Sequence, residues 1–154
     1  MKSVNSKLLL ALIALFIGLS SCSKKCDLPD DSNSGSIIQD VVIYPSSGSM
    51  TGNMGNDFVI NGTHKYAGEY DIRFPNGNKI PVDYSQYTIL CYPTKTSCAA
   101  SFNRSVVIDA LTQTVKYKIE ISQCKDCLQE VENENYILVP AFPSNYTVSY
   151  DVTL

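Results

Sequence analysis

Apolar and polar positions alternate in a way that changes character three times along this chain. Residues 8–19 form an almost unbroken apolar run behind Lys2 and Lys7, closed by Ser20, Ser21 and Cys22. Residues 23–36 are polar, carry Pro and Gly, and have no period. They are predicted to be a flexible tether whose ends lie about 20 Å apart. From residue 37 the pattern is that of strands. Ile37, Ile38, Val41, Val42 and Ile43 predict a strand over 37–44 that stops at Pro45. A Gly- and Ser-rich loop with Met50 and Met54 follows. Residues 62–70 are expected to form one short helix, capped by Asn61, with Tyr66, Ala67 and Tyr70 on one face. Asn76-Gly77 signals a turn.

The second half is more regular. Residues 86–92 place Tyr87, Ile89 and Cys91 on one face and Thr88, Leu90 and Tyr92 on the other, so this strand is expected to be central and to end at Pro93. Residues 101–109 and 113–122 predict a hairpin. In its second arm Val115, Tyr117, Ile119 and Ile121 alternate with Lys116, Lys118 and Glu120, one face for the core and one for water. Residues 123–134 read as an acidic loop with Glu130, Glu132 and Glu134. Residues 135–142 and 146–153 predict two last strands, the first kinked or edge-lying at Pro140. About six strands and one short helix call for an antiparallel β-sandwich or a small open barrel.

The apolar run of about a dozen residues is short for a membrane-spanning helix, which needs about 20. It suits a secretory signal. Its ending, Leu19-Ser20-Ser21-Cys22, looks like a bacterial lipobox, in which the cysteine thiol is acylated and the chain is cut just before it. The expected organisation is therefore a signal peptide at 1–21, a lipidated Cys22 with a tether over 22–36, and one domain over 37–154. Ser23 after the cysteine fits delivery to the outer membrane, on either face.

Composition narrows the function classes. Removing residues 1–21 leaves 133 residues with all 15 acidic side chains and 10 of the 12 Lys and Arg. That acidic balance argues against a nucleic-acid partner. His64 is the only histidine and is expected to be a solvated side chain. No catalytic set, cofactor or metal site is expected from the spacing of the polar residues.

Cys26, Cys91, Cys98, Cys124 and Cys127 remain once Cys22 is assigned to lipid. Thiols outside the inner membrane tend to be oxidised. A hairpin turn centred near residue 111 makes opposing residues sum to about 222, which favours Cys98 with Cys124 and Cys91 with Cys127. The alternatives are Cys98 with Cys127 and Cys91 with Cys124, or the local pairs Cys91 with Cys98 and Cys124 with Cys127. Cys26 is left as a free thiol or an intermolecular bridge.

Three blocks carry a resemblance: PVDYSQYTILCYPT at 81–94, VKYKIEI at 115–121 followed by Cys127, and YILVPAFPSNYTVSYDV at 136–152. Their spacing over 57–153 resembles the C-terminal domain family named for PrcB, a lipoprotein subunit of a surface protease complex, and is similar to lipoproteins of the Bacteroidetes. The resemblance implies a β-rich, non-catalytic module that associates with and stabilises an envelope protein such as a protease. A structural or carbohydrate-binding envelope lipoprotein is the alternative, and in both readings the lipid anchor ties the chain to a membrane.

Overall fold

A computed structural model describes residues 26–46, 59–124 and 129–154. The signal segment, Cys22, the Met50 and Met54 loop and Cys127 lie outside the described residues.

The fold is mainly β, as the alternation predicts, with strands in three small sheets and no closed barrel among the described residues. The strands are β1 (Ser32–Gly35), β2 (Val42–Pro45), β3 (Val59–Ile60), β4 (Tyr70–Arg73), β5 (Ile80–Pro81), β6 (Tyr87–Ser97), β7 (Ala100–Asp109), β8 (Thr114–Gln123), β9 (Glu130–Pro140) and β10 (Thr147–Thr153). One sheet has the order β1-β7-β8-β10, a second β3-β6-β9 and a third β2-β4-β5.

The β3-β6-β9 sheet is the middle layer. Leu90, Ile137 and Val139 project from it into a core shared with Phe102, Val106, Val115, Tyr117, Ile119 and Ile121 of the β7-β8 hairpin. Ile89, Cys91 and Leu138 project from its other face onto Ile72 and Tyr70 of β4. The two apolar faces of residues 86–92 thus reflect burial on both sides. The strict alternation of β8 reflects one wet face, and Val115, Tyr117, Ile119 and Ile121 are all buried.

Several expectations need correction. The count of about six strands misses the short ones, and the sheets are not purely antiparallel. β10 pairs parallel to β8, and β1 parallel to β7. The first follows from connectivity: β9 crosses into the middle layer and returns the chain to the far end, so β10 descends alongside β8. Pro93 does not end β6, which continues to Ser97 opposite Glu130. β3 pairs only with Ile89 and Leu90. Beyond them one side of β6 carries no strand among the described residues, and a proline nitrogen facing that side breaks no ladder bond.

The expected helix over 62–70 is reduced to a single 3-10 turn at Ala67–Glu69, after which the chain extends into β4. The predicted strand over 37–44 is shortened to β2. Asp40 sits at φ 57°, which interrupts extension, while Ile37 is buried and the Ile38 amide donates to the Leu138 carbonyl at 2.8 Å. The acidic stretch at 130–134 is strand, not loop, and Lys95 bridges Glu130 and Glu132 at 3.4 and 3.5 Å.

Residues 26–36 are not a free tether over their whole length, since residues 32–35 form β1. No hydrophobic pattern marks it, because all four of its residues are exposed and it is held through its backbone. Gly35 closes it at φ 69°, and a Cβ there would collide with the Val106 carbonyl. Gly35→Ala is therefore expected to cost about 1–3 kcal/mol in urea unfolding, through loss of the β1–β7 pairing. A change below a few tenths would mean that the pairing contributes nothing.

Candidate functional site

Two regions gather functional groups: the end where the amino-terminal arm enters, and a polar cleft between that arm and the third sheet.

At the entry end Cys26 is joined to Cys124 by a disulfide, with Cα atoms 5.9 Å apart. This corrects the expected pairing of Cys98 with Cys124. The hairpin register is the reason. Ala100 lies opposite Gln123 and Asp109 opposite Thr114, so facing positions sum to 223. The connecting loop is the four residues 110–113, closed by Gln113 at φ 54° and by Asp109, whose carboxylate accepts from the Leu111 and Thr112 amides at 2.8 and 3.2 Å. A half-residue shift of the turn centre places Ala99 opposite Cys124, and the Cys124 amide donates to the Ala99 carbonyl at 3.0 Å. Cys98 is itself disulfide-bonded. Cys91 is a free thiol buried in the middle layer, which corrects its place among the disulfide candidates. Its side chain points to the β4 layer, away from the hairpin end.

The arm is fastened a second time by Asp31. Its carboxylate accepts from the Phe102 amide at 2.9 Å and pairs with the Arg104 guanidinium at 3.1 Å. Arg104 is largely buried, lies over the Phe102 ring at 4.7 Å and donates through Nε to Asn135 Oδ1 at 3.0 Å. Buried Asn135 spends its two amide hydrogens on the Tyr92 carbonyl and Thr94 Oγ1, at 3.1 and 3.0 Å. A buried amide so satisfied costs little and fixes the register of β6, β7 and β9. Sequence reading missed all three: Asp31 lies in a stretch with no strand pattern, and Arg104 and Asn135 do not break the pattern of the strands that hold them.

The cleft has a volume of about 590 Å³. Asp31, Asn33, Gln39, Asp40, Arg73 and Asn76 line it, with Phe74 as an aromatic wall. Two residues of left-handed φ, Asp40 and Asn76 at 57° and 59°, turn the chain at its rim. Nearby, Tyr44 lies between Arg73 and Lys79, at 5.6 and 5.1 Å from its ring centre. The set offers hydrogen-bond donors and acceptors beside an aromatic ring, the chemistry that holds a polar, uncharged ring such as a sugar. His64 lies elsewhere. It is half-buried, its Nδ1 accepts from the Tyr66 amide at 3.3 Å and its ring tilts against Tyr66. Among the described residues no three His, Cys, Asp or Glu side chains come together to hold a metal ion, and no helix is long and apolar enough to cross a membrane.

All ten tyrosines are buried or half-buried, so the strand faces present no exposed tyrosine. Burial pushes the Tyr70 hydroxyl and the Cys91 thiol each up to about 12, and holds Tyr84, Tyr117, Tyr136 and Tyr150 well above the usual range. The unfolded chain releases these protons first. Stability is therefore expected to be intact below pH 9, to fall as the pH rises through the ordinary thiol and phenol values, and to keep falling to about 12. Cys91 alone contributes a slope of about 1.4 kcal/mol per pH unit in that window. Urea unfolding between pH 8 and 11, read with tyrosinate absorbance, checks this. A flat profile with all tyrosines titrating near 10 would contradict it.

These features define a layered all-β domain with a covalently fastened amino-terminal arm. No protein-family model, no curated protein and no solved structure matches the chain.

Proposed function

We propose that this is a lipid-anchored envelope protein, acylated at Cys22, whose domain is a non-catalytic accessory module that binds and stabilises another envelope protein. The outer membrane is the compartment this reading favours, from the residues around the lipobox. The observation that carries the binding role is the free side of β10. This strand runs seven residues in unbroken register with β8. Its other side pairs with no strand among the described residues. Natural edge strands are blunted by charged side chains, lysine above all, by proline, a bulge or extreme shortness; β10, TVSYDVT, carries the single charge of Asp151 and has no lysine, proline or bulge. Val148, Tyr150 and Val152 anchor it in the core, so the edge is rigid. Such an edge accepts an extended segment of a partner as an added strand.

The test is a pull-down from envelope extract with the disulfide-bonded domain. The reading expects a stoichiometric protein partner, lost at least tenfold when exposed Ser149 and Asp151 on the edge are both replaced by lysine. Capture unaffected by that pair would remove the edge from the proposal. A second reading, a carbohydrate-binding envelope lipoprotein, draws on the cleft at Arg73, Phe74 and Asn76. Retention on glycan resin, abolished by Arg73→Ala, with no protein partner recovered, would favour it over the first.

A further inference from the structure

The Cys26–Cys124 disulfide does more than hold the arm. On the reading that Cys22 carries the lipid, only residues 23–25 separate the lipid-bearing residue from the disulfide. Four Cα–Cα steps of 3.8 Å reach at most about 15 Å, whatever path they take. A free 14-residue tether would reach about 50 Å at full extension. The arm cannot lengthen by peeling away, because Asp31 and β1 lie beyond the disulfide and Cys124 is buried at the end of β8.

We infer that the domain is held end-on against the lipid surface. Its membrane-facing end is the one formed by Ser97, Cys98, Ala99 and Cys124. The strand directions then set everything else. β7 leaves this end at Ala100, β8 returns to it at Gln123, and β6 and β9 meet there at the Ser97–Glu130 pair. The opposite end holds the 110–113 turn, with Leu111 almost fully exposed at its tip. Ten strand residues at about 3.3 Å each separate the two ends by roughly 30 Å. The short link includes Lys24 and Lys25, whose charge anionic lipid attracts. The β10 edge then runs along the membrane normal and is open to a partner over its whole length.

The chain has no tryptophan, so a single one reports position. The experiment uses full-length acylated protein in phosphatidylglycerol–phosphatidylethanolamine vesicles with a dansyl group on a fraction of the headgroups. Energy transfer is compared for Gln129→Trp, exposed at the membrane-facing end, and Leu111→Trp at the far tip. Transfer from the first is expected to exceed that from the second at least threefold. Replacing Cys26 and Cys124 together with serine should shrink the ratio towards one while flotation with vesicles stays unchanged. Equal transfer from the two positions in the disulfide-bonded protein, with normal flotation, overturns the orientation alone. Failure of the wild-type protein to float overturns the anchoring reading, and the orientation with it. The first comparison leaves the disulfide intact, so it holds even if the serine pair does not fold.

Discussion

Replacing Cys26 and Cys124 together with serine is expected to lower the unfolding free energy by about 4–5 kcal/mol. The bridge spans a sequence separation of 98 residues, and in the chain-entropy description a loop of that length loses about 4.7 kcal/mol of unfolded-state freedom when closed. The double replacement is the right comparison, because a single one leaves a thiol free to exchange with the Cys98 disulfide. Urea unfolding of the oxidised wild type and the double variant measures the difference. The midpoint should fall steeply. Part of the loss should appear as earlier release of the arm, seen as faster hydrogen exchange at the amides of β1. A difference below about 1 kcal/mol would mean that the arm's other contacts, at Asp31 and β1, hold it without covalent help.

The second large effect tests the three layers. Leu90 and Leu138 lie on opposite faces of the middle sheet, and both are buried. Leu90→Ala opens a cavity against the β7-β8 hairpin, and Leu138→Ala opens one against β4. Each is expected to cost about 3 kcal/mol, within the range of 2–5 for leucine truncation in a packed core. A two-layer sandwich would leave one of these faces in water, and truncation there would cost less than about 1 kcal/mol. Equal, large losses support the stack; a small loss at Leu138 would show that the β2-β4-β5 sheet does not cover it. Leu90 faces Ile137, the residue next to Leu138, so the two sites are close enough for the double variant to depart from the sum of the single losses.

How much of this was legible in the sequence depends on whether side chains or backbone set each element. β8 was legible because one face meets water and the other the core, so the pattern must alternate. β6 was legible as a central strand because Ile89 and Leu90, neighbours in sequence, are both apolar and must both be covered. β1 was not legible. Its four residues are exposed, and what holds it is a ladder of peptide groups and the close approach of Gly35 to Val106, neither of which leaves a hydrophobic signature. The cysteine pairing failed for a geometric reason. Hairpin arithmetic doubles any error in the turn centre, and the four-residue loop at 110–113 moved every facing pair by one. Polar surroundings make Cys26 read as part of a tether, although a disulfide needs only proximity to its partner. The Arg104–Asn135 network lies inside strands whose alternation it does not disturb, and only the packing of three strands brings it together.

The proposed function rests on where the chain begins after processing. Intact-mass spectrometry of the protein extracted by detergent from bacterial membranes reads that directly, with fragmentation of the amino-terminal peptide. The account expects a chain starting at Cys22, carrying a diacylglycerol thioether on its sulfur, with Cys26 linked to Cys124. A mature chain that starts at any other residue, or a Cys22 with no lipid on it, would contradict it.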